Sequence, residues 1–222
     1  MSAPLRADVE AGQAIYGPLV LRLYDQLVLG LTSSLFWGCP KHRMQRHYDR
    51  HLSGMHCDIG VGTGYFLEHG RFPVPDPSIT LVDLNENSLS KAAERIQRYS
   101  PRRLRANVLE PLPLPEGTFG SVGMNHLLHC VPGAIEQKGR TVFSHVRRLL
   151  RPGGVMFGST ILTQGIPVPA HTRALIAAYN RRGIFHNTED SLDGLRGALE
   201  DSFESHELRL VGVVALFAGH VA

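Results

Sequence analysis

Cysteine is scarce: Cys39, Cys57 and Cys130 are the only three in 222 residues, far apart and without a CxxC pair. An odd number so spaced excludes a disulfide framework as the organising device, and a reducing, cytoplasmic setting is expected. Tryptophan occurs once, and charged residues make up only 19% of the chain. Basic and acidic residues number 23 and 20, and the resulting +3 is spread along the chain rather than gathered into a block, so wholesale phosphate binding is not indicated. No apolar run approaches the ~20 residues a membrane span needs. Asp8 and Glu10 precede the first apolar run, unlike a secretory signal. Internal repeats, low-complexity tracts and clear linkers are also lacking. Hydrophobic residues, at 43%, are too many for a chain disordered throughout.

What is present is an alternation of short apolar runs and helical periods. Two short helices are expected across 13–37, interrupted at Gly17, Pro18 and Gly30, followed by a polar stretch from Lys41 to Leu52. Met55 to Ile59 reads as a strand, stopped by Gly60, Gly62 and Gly64, with a helix opening at Tyr65. The period repeats with strands at Ile79 to Val82, Leu104 to Val108, Val122 to Asn125 and Val155 to Leu162, and helices at Ser88 to Tyr99 and Lys138 to Leu150. Such alternation predicts a parallel sheet with helices on both faces. After Leu162 come a loop, a helix over Ala170 to Arg182, and a helix from Thr188 to Asp201 with Asn187 or Thr188 as its N-cap and Asp190 in its first turn. Ser205 to Val211 and Gly212 to Val221 then alternate across a Gly212 turn, predicting an antiparallel pair.

In a doubly wound sheet the ligand lies at the carboxyl ends of the strands, beside the first glycine loop. The loop Asp58-Ile59-Gly60-Val61-Gly62-Thr63-Gly64 fits neither frame of GxGxxG, because Tyr65 or Leu67 would fall on the last position. No Lys-Ser or Lys-Thr pair follows it, so a P-loop fails as well. There remain an acid at the strand end, a GxGxG loop, and Asp83 at the end of the second strand, 23 residues after Gly60. That carboxylate is placed to accept hydrogen bonds from both hydroxyls of a ribose.

At these residues the sequence resembles class I S-adenosylmethionine-dependent methyltransferases, particularly the small-molecule group similar to the ubiquinone and menaquinone biosynthesis enzymes. CDIGVGTG (Cys57 to Gly64) resembles the first motif, LVDLNENSL (Leu81 to Leu89) the second, and RANVLEPLPLPEGTFG (Arg105 to Gly120) the third. VGMNHLLHCVPG (Val122 to Gly133) and LLRPGGVMFGST (Leu149 to Thr160) continue the series. The chain departs from the pattern at Asn107, Gly120 and Gly133, where the family carries Asp; the Asn107 amide oxygen can still accept from an adenine amino group.

The resemblance implies an α/β, Rossmann-like three-layer αβα sandwich, with a mostly parallel seven-stranded sheet and an antiparallel C-terminal strand pair. It implies S-adenosylmethionine as cofactor, held by Asp58, Gly60, Gly62, Thr63, Gly64, Asp83, Leu84, Asn107, Val108 and Asn125. Residues 1–52 are expected as an N-terminal helical lid carrying Tyr16, Tyr24 and Trp37, and 53–222 as the methyltransferase domain with a substrate-cap insert at about 163–190. His126 and His129 follow the fourth strand and are the candidate bases, since an imidazole near neutral pKa can take a proton from an acceptor group. His47 and His51, with Cys39 and His42 nearby, have metal-like spacing, but no carboxylate or CxxC completes a set and no metal is expected.

The expected activity is methyl transfer by in-line displacement to a small, hydrophobic or aromatic metabolite, in secondary or quinone-type metabolism. Expected partners are the small-molecule acceptor, with a homodimer open, and neither nucleic acid nor a membrane span. Two alternatives stand beside it: a nucleic-acid or protein methyltransferase, which the sequence Asn125-His126-Leu127-Leu128 disfavours by replacing (Asp/Asn)-Pro-Pro-(Tyr/Phe), and a non-methylating binder of the same cofactor.

Overall fold

The computed structural model describes residues 33–222. Tyr16, Tyr24 and most of the expected N-terminal lid lie outside them. The chain opens with α1 (Ser33–Leu35) and α2 (Lys41–His51), then alternates β1 (Met55–Ile59), α3 (Tyr65–Glu68), β2 (Ser78–Asp83), α4 (Glu86–Arg95) and β3 (Arg102–Arg105). The second half runs β4 (Phe119–Asn125), α5 (Ile135–Leu149), β5 (Leu150–Ile161), α6 (Ala170–Arg181), α7 (Leu192–Ser202), β6 (Ser205–Val211) and β7 (Val214–His220).

The strands form one seven-stranded sheet in the order β3-β2-β1-β4-β5-β7-β6. Neighbours from β3 through β5 are parallel, whereas β7 is antiparallel to both β5 and β6. Chain direction across the sheet reverses between β1 and β4, which opens a crevice at their carboxyl ends.

The central strands are buried on both faces, which is why they read as near-continuous apolar runs rather than alternating ones. On one face Cys57, Ile59, Val122, Met124, Met156 and Phe217 pack under α5 and α7, which contribute Val142, Phe143, Val146, Leu195 and Leu199. On the other, Ile79, Leu81, Phe157 and Ala218 are covered by Tyr48, Leu67, Leu89 and Ala92. Burial of each such side chain contributes about 1.5–3 kcal/mol.

Several boundaries differ from the sequence expectation for identifiable reasons. The stretch Lys41 to Leu52 is largely the helix α2, whose buried stripe is Met44, Tyr48 and His51. The third strand is Arg102–Arg105 rather than 104–108, an exposed edge strand whose arginines carry no apolar signal. The N-cap of α7 is Ser191, whose Oγ accepts from Gly194 N at 3.0 Å. Asn187 instead spends its side chain inside the insert, donating to Ile161 O at 3.1 Å and accepting from Asn180 Nδ2 at 2.8 Å. Asp190 lies before the helix and pairs with Lys138 (2.9 Å), both side chains being fully buried. Lys138 Nζ also donates to Val131 O and His186 O, at 2.9 and 2.8 Å, so two of its three hydrogens tie α5 to the insert and the third to the loop after β4.

Among the described residues no helix is long and apolar enough to cross a membrane. None of their His, Cys, Asp and Glu side chains group in threes that could hold a metal ion.

Candidate active site

A cavity opens at the carboxyl ends of β1, β2 and β4 and encloses about 1220 Å³ of non-protein space, its open mouth included. Its wall includes every residue expected to hold the cofactor: Asp58, Gly60, Gly62, Thr63, Gly64, Asp83, Leu84, Asn107, Val108 and Asn125. The floor is the loop after β1, where Gly60, Gly62 and Gly64 have φ of 72°, 52° and 75°. A side chain is disfavoured at all three on backbone grounds. A Cβ on Gly60 would come within 2.8 Å of Leu127, and one on Gly64 within 2.9 Å of Ala92, whereas one on Gly62 would meet only open space. Gly62 therefore lets the backbone itself border the cavity.

Asp83 ends β2 with Oδ1 accepting from Asn85 N at 2.9 Å. Burial pushes its carboxyl up to about 6, against the pull of backbone amides that hydrogen-bond to it. Asn107 Oδ1 accepts from Leu109 N at 3.0 Å, turning the chain so that Val108 faces the same wall. Thr63 is held from behind, with Arg95 Nη1 donating to its carbonyl and hydroxyl oxygens, each at 3.1 Å.

Asp58, the acid at the end of β1, is 6% exposed. Its Oδ2 accepts from Tyr48 Oη at 2.5 Å and lies 3.4 Å from His56 Nε2. The far side of the His56 ring reaches Ser121 Oγ at 2.8 Å. Sequence reading missed Tyr48 and His56 in this role, because they come from different elements and no spacing rule links them.

The two candidate histidines are placed differently. His126 lines the cavity in a left-handed conformation, φ 55°, with its backbone N–H donating to Ser159 O at 2.8 Å. Its Nε2 lies 3.0 Å from Met44 Sδ. A thioether only accepts, so Nε2 carries the hydrogen and Nδ1 is left without one in the neutral ring. Burial lowers this imidazole to about 4.

His129 does not line the cavity. It is buried against Phe185 at 4.5 Å between ring centroids, accepts from Ile161 N at 3.4 Å, and touches the His126 ring at 5.5 Å. Trp37 is buried beside Phe36, Tyr179 and Phe185, in the cluster that joins α1 to the insert. His47 meets the His51 and Phe157 rings edge-on and His51 stacks on Phe157, away from the cavity.

This donor set suits S-adenosylmethionine. A half-buried carboxylate could accept from diol hydroxyls, the strip Leu84, Ala106, Val108 and Leu109 is apolar enough for a purine, and a bare glycine backbone leaves room for an amino-acid tail. No Lys or Arg lines the cavity among the described residues, which suits a cofactor without phosphates.

Comparison with known proteins agrees. The methyltransferase domain family matches residues 57–156. The chain is 48% identical over 206 residues to the demethylluteothin O-methyltransferase of Streptomyces thioluteus, covering 93% of this chain and 89% of the relative. It is 38% identical to the physcion biosynthesis cluster O-methyltransferase of Aspergillus chevalieri, covering 96% of each. Among solved structures the DhpI–SAH complex shares the fold, with a TM-score of 0.66 at 16% identity over 96% of this chain and 95% of that one. Motif order, sheet topology and near-full-length relatives converge: the chain belongs to the class I S-adenosylmethionine-dependent methyltransferases that act on small molecules.

Proposed function

We propose that the acceptor is an acidic hydroxyl, phenolic or enolic, of a small apolar metabolite, and that His126 receives its proton. Bound in the cavity, S-adenosylmethionine supplies an activated methyl group that transfers in a single displacement. The residues of the chain then have to bind, orient and exclude water, since confinement at attack distance is worth up to ~7–11 kcal/mol.

Asp83 would accept from the ribose hydroxyls, Leu84, Asn107 and Val108 would border the adenine, and Asp58 with the Gly60 to Gly64 loop would hold the amino-acid end. Asn125, which ends β4 and accepts from Ser159 Oγ at 3.0 Å, would fix the wall beneath the reacting centre. Trp37 and the insert at about 163–190 would close the acceptor side.

The observation that carries the reading is the state of His126: its Nε2–H is committed to Met44, and Nδ1 has no hydrogen-bond partner among the described residues. Among the described residues no carboxylate stands behind the ring, so a protonated imidazole would gain little, and the matching acceptors are hydroxyls that ionise readily rather than alkyl alcohols. His129 supports the His126 ring rather than exchanging protons. Two curated relatives being named O-methyltransferases favours oxygen as the acceptor atom.

The cation-free wall supports a small molecule over nucleic acid, and three free thiols suit a reducing cytoplasm. The test is turnover of labelled S-adenosylmethionine against a panel of phenols and enols. Oxygen-methylated product and S-adenosylhomocysteine are expected; product methylated only at nitrogen or carbon would overturn it. His126→Asn, which tolerates the left-handed backbone, is expected to slow transfer about 10²–10⁴-fold while leaving S-adenosylhomocysteine affinity within about threefold.

A further inference from the structure

The family match begins at Cys57, but the acid of its first motif is held from outside it. Tyr48, on α2, is fully buried and donates to Asp58 Oδ2 at 2.5 Å. Its ring is fixed by stacking on Phe66, with centroids 5.7 Å apart and planes at 27°, and by an edge contact with Phe157 at 5.1 Å. Burial first, and the Asp58 charge second, push the phenol well above its usual range, so it remains a donor throughout the working pH range.

The His56 ring braces the same oxygen. Ser121 Oγ lies 2.8 Å from His56 Nδ1 and 2.9 Å from Ser53 Oγ, which gives its own hydrogen to Met55 O at 2.8 Å. Tyr48 spends its one hydrogen on Asp58, so toward Tyr48 Oη it is His56 Nε2 that carries the hydrogen. The Ser121 contact sets the ring so that Nε2–H donates to Tyr48 Oη at 3.1 Å. Opposite, a Cβ on Gly123 would fall 3.0 Å from Asp58 Oδ2 and 3.1 Å from His56 Cε1, so the neighbouring strand leaves a slot for this pair. Asp58 Oδ1 has no hydrogen-bond partner among the described residues, and Asp58 lines the cavity.

We propose that Tyr48, braced by His56 and Ser121, is a positioning residue: by occupying one oxygen of Asp58 it presents the other to the ammonium group at the amino-acid end of the cofactor. This rests on the placement of that end beside Asp58 given above. Tyr48 itself touches no cofactor atom; it acts through the carboxylate.

The experiment is calorimetric binding of two ligands to the intact chain and to Tyr48→Phe. S-adenosylhomocysteine carries the amino-acid end, and 5′-methylthioadenosine lacks it. The variant is expected to bind S-adenosylhomocysteine about tenfold more weakly, the worth of one hydrogen bond to a charged group, and methylthioadenosine within about twofold of the original. Asp58→Asn is expected to weaken S-adenosylhomocysteine by at least as much, and adding Tyr48→Phe to it should cost little more.

Equal weakening of both ligands, or unchanged S-adenosylhomocysteine affinity in a folded Tyr48→Phe, overturns the proposal. If Tyr48→Phe does not fold, Ser121→Ala, which frees the far side of the His56 ring, takes its place: selective loss of S-adenosylhomocysteine affinity supports the proposal, and loss of neither or of both overturns it. Failure of the unaltered chain to bind either ligand would instead refute the cofactor placement on which this rests.

Discussion

At the scale of single residues, Asp83 couples the site to pH. Burial is the largest influence on its carboxyl and raises it to about 6 from 3.8. Its folded value lies above its unfolded one, so ionisation is disfavoured by the fold, and the stability Asp83 contributes falls as pH rises from about 4 to about 6. Binding a ribose diol needs the ionised form. S-adenosylhomocysteine affinity, measured by calorimetry, is therefore expected to rise between pH 5 and 7 and to level off above, with Asp83→Asn weaker and flat across that range. His126 moves the opposite way: burial lowers it to about 4, so it is neutral and proton-accepting throughout that interval, and the two groups do not compete for one pH window.

Among the elements, one buried ion pair helps to hold the insert to the doubly wound core. Burial pushes Lys138 down and Asp190 up, and their mutual attraction at 2.9 Å opposes both shifts. Removing one partner leaves an uncompensated buried charge, so Lys138→Met is expected to cost about 3–5 kcal/mol in urea unfolding, with Lys138→Met/Asp190→Leu recovering at least half of it. Elements with a continuous apolar run, such as β1, β2 and β4, were legible in the sequence because double burial imposes it. The cavity wall was legible for a related reason: backbone geometry demands glycine at 60, 62 and 64, and Asp83 follows at a fixed reach. α2 falls within the expected helical segment 1–52, but its packing is not legible in the sequence, because its buried face is a methionine, a tyrosine and a histidine rather than an aliphatic stripe. The start of α7 falls at Ser191 rather than at the expected Asn187 or Thr188, because the Asn187 side chain is consumed by Ile161 and Asn180. The clamp on Asp58 was illegible since its three members, Tyr48, His56 and Ser121, meet only once α2, β1 and β4 are side by side.

For the molecule as a whole, ligand and fold are linked, because the cavity wall is drawn from β1, β2, β4 and the loops between them. S-adenosylhomocysteine at a hundred times its dissociation constant should add about 2.7 kcal/mol, a rise in melting temperature of ~5–10 °C for a chain of this size; Asp83→Ala should abolish most of that rise in a scanning fluorimetry experiment. The sheet has a further property of global reach. β7 (Val214–His220) lies between β5 and β6, so a strand that follows β6 in the chain is interior to it in the sheet. During synthesis on the ribosome, β1 to β5 can assemble while the bonding groups on the outer side of β5 await a partner that is made only after β6. The cofactor half of the protein is therefore born before its other half can close, and a chain cut short near Gly212 would leave the ribosome with an open, sticky edge rather than merely lacking a tail.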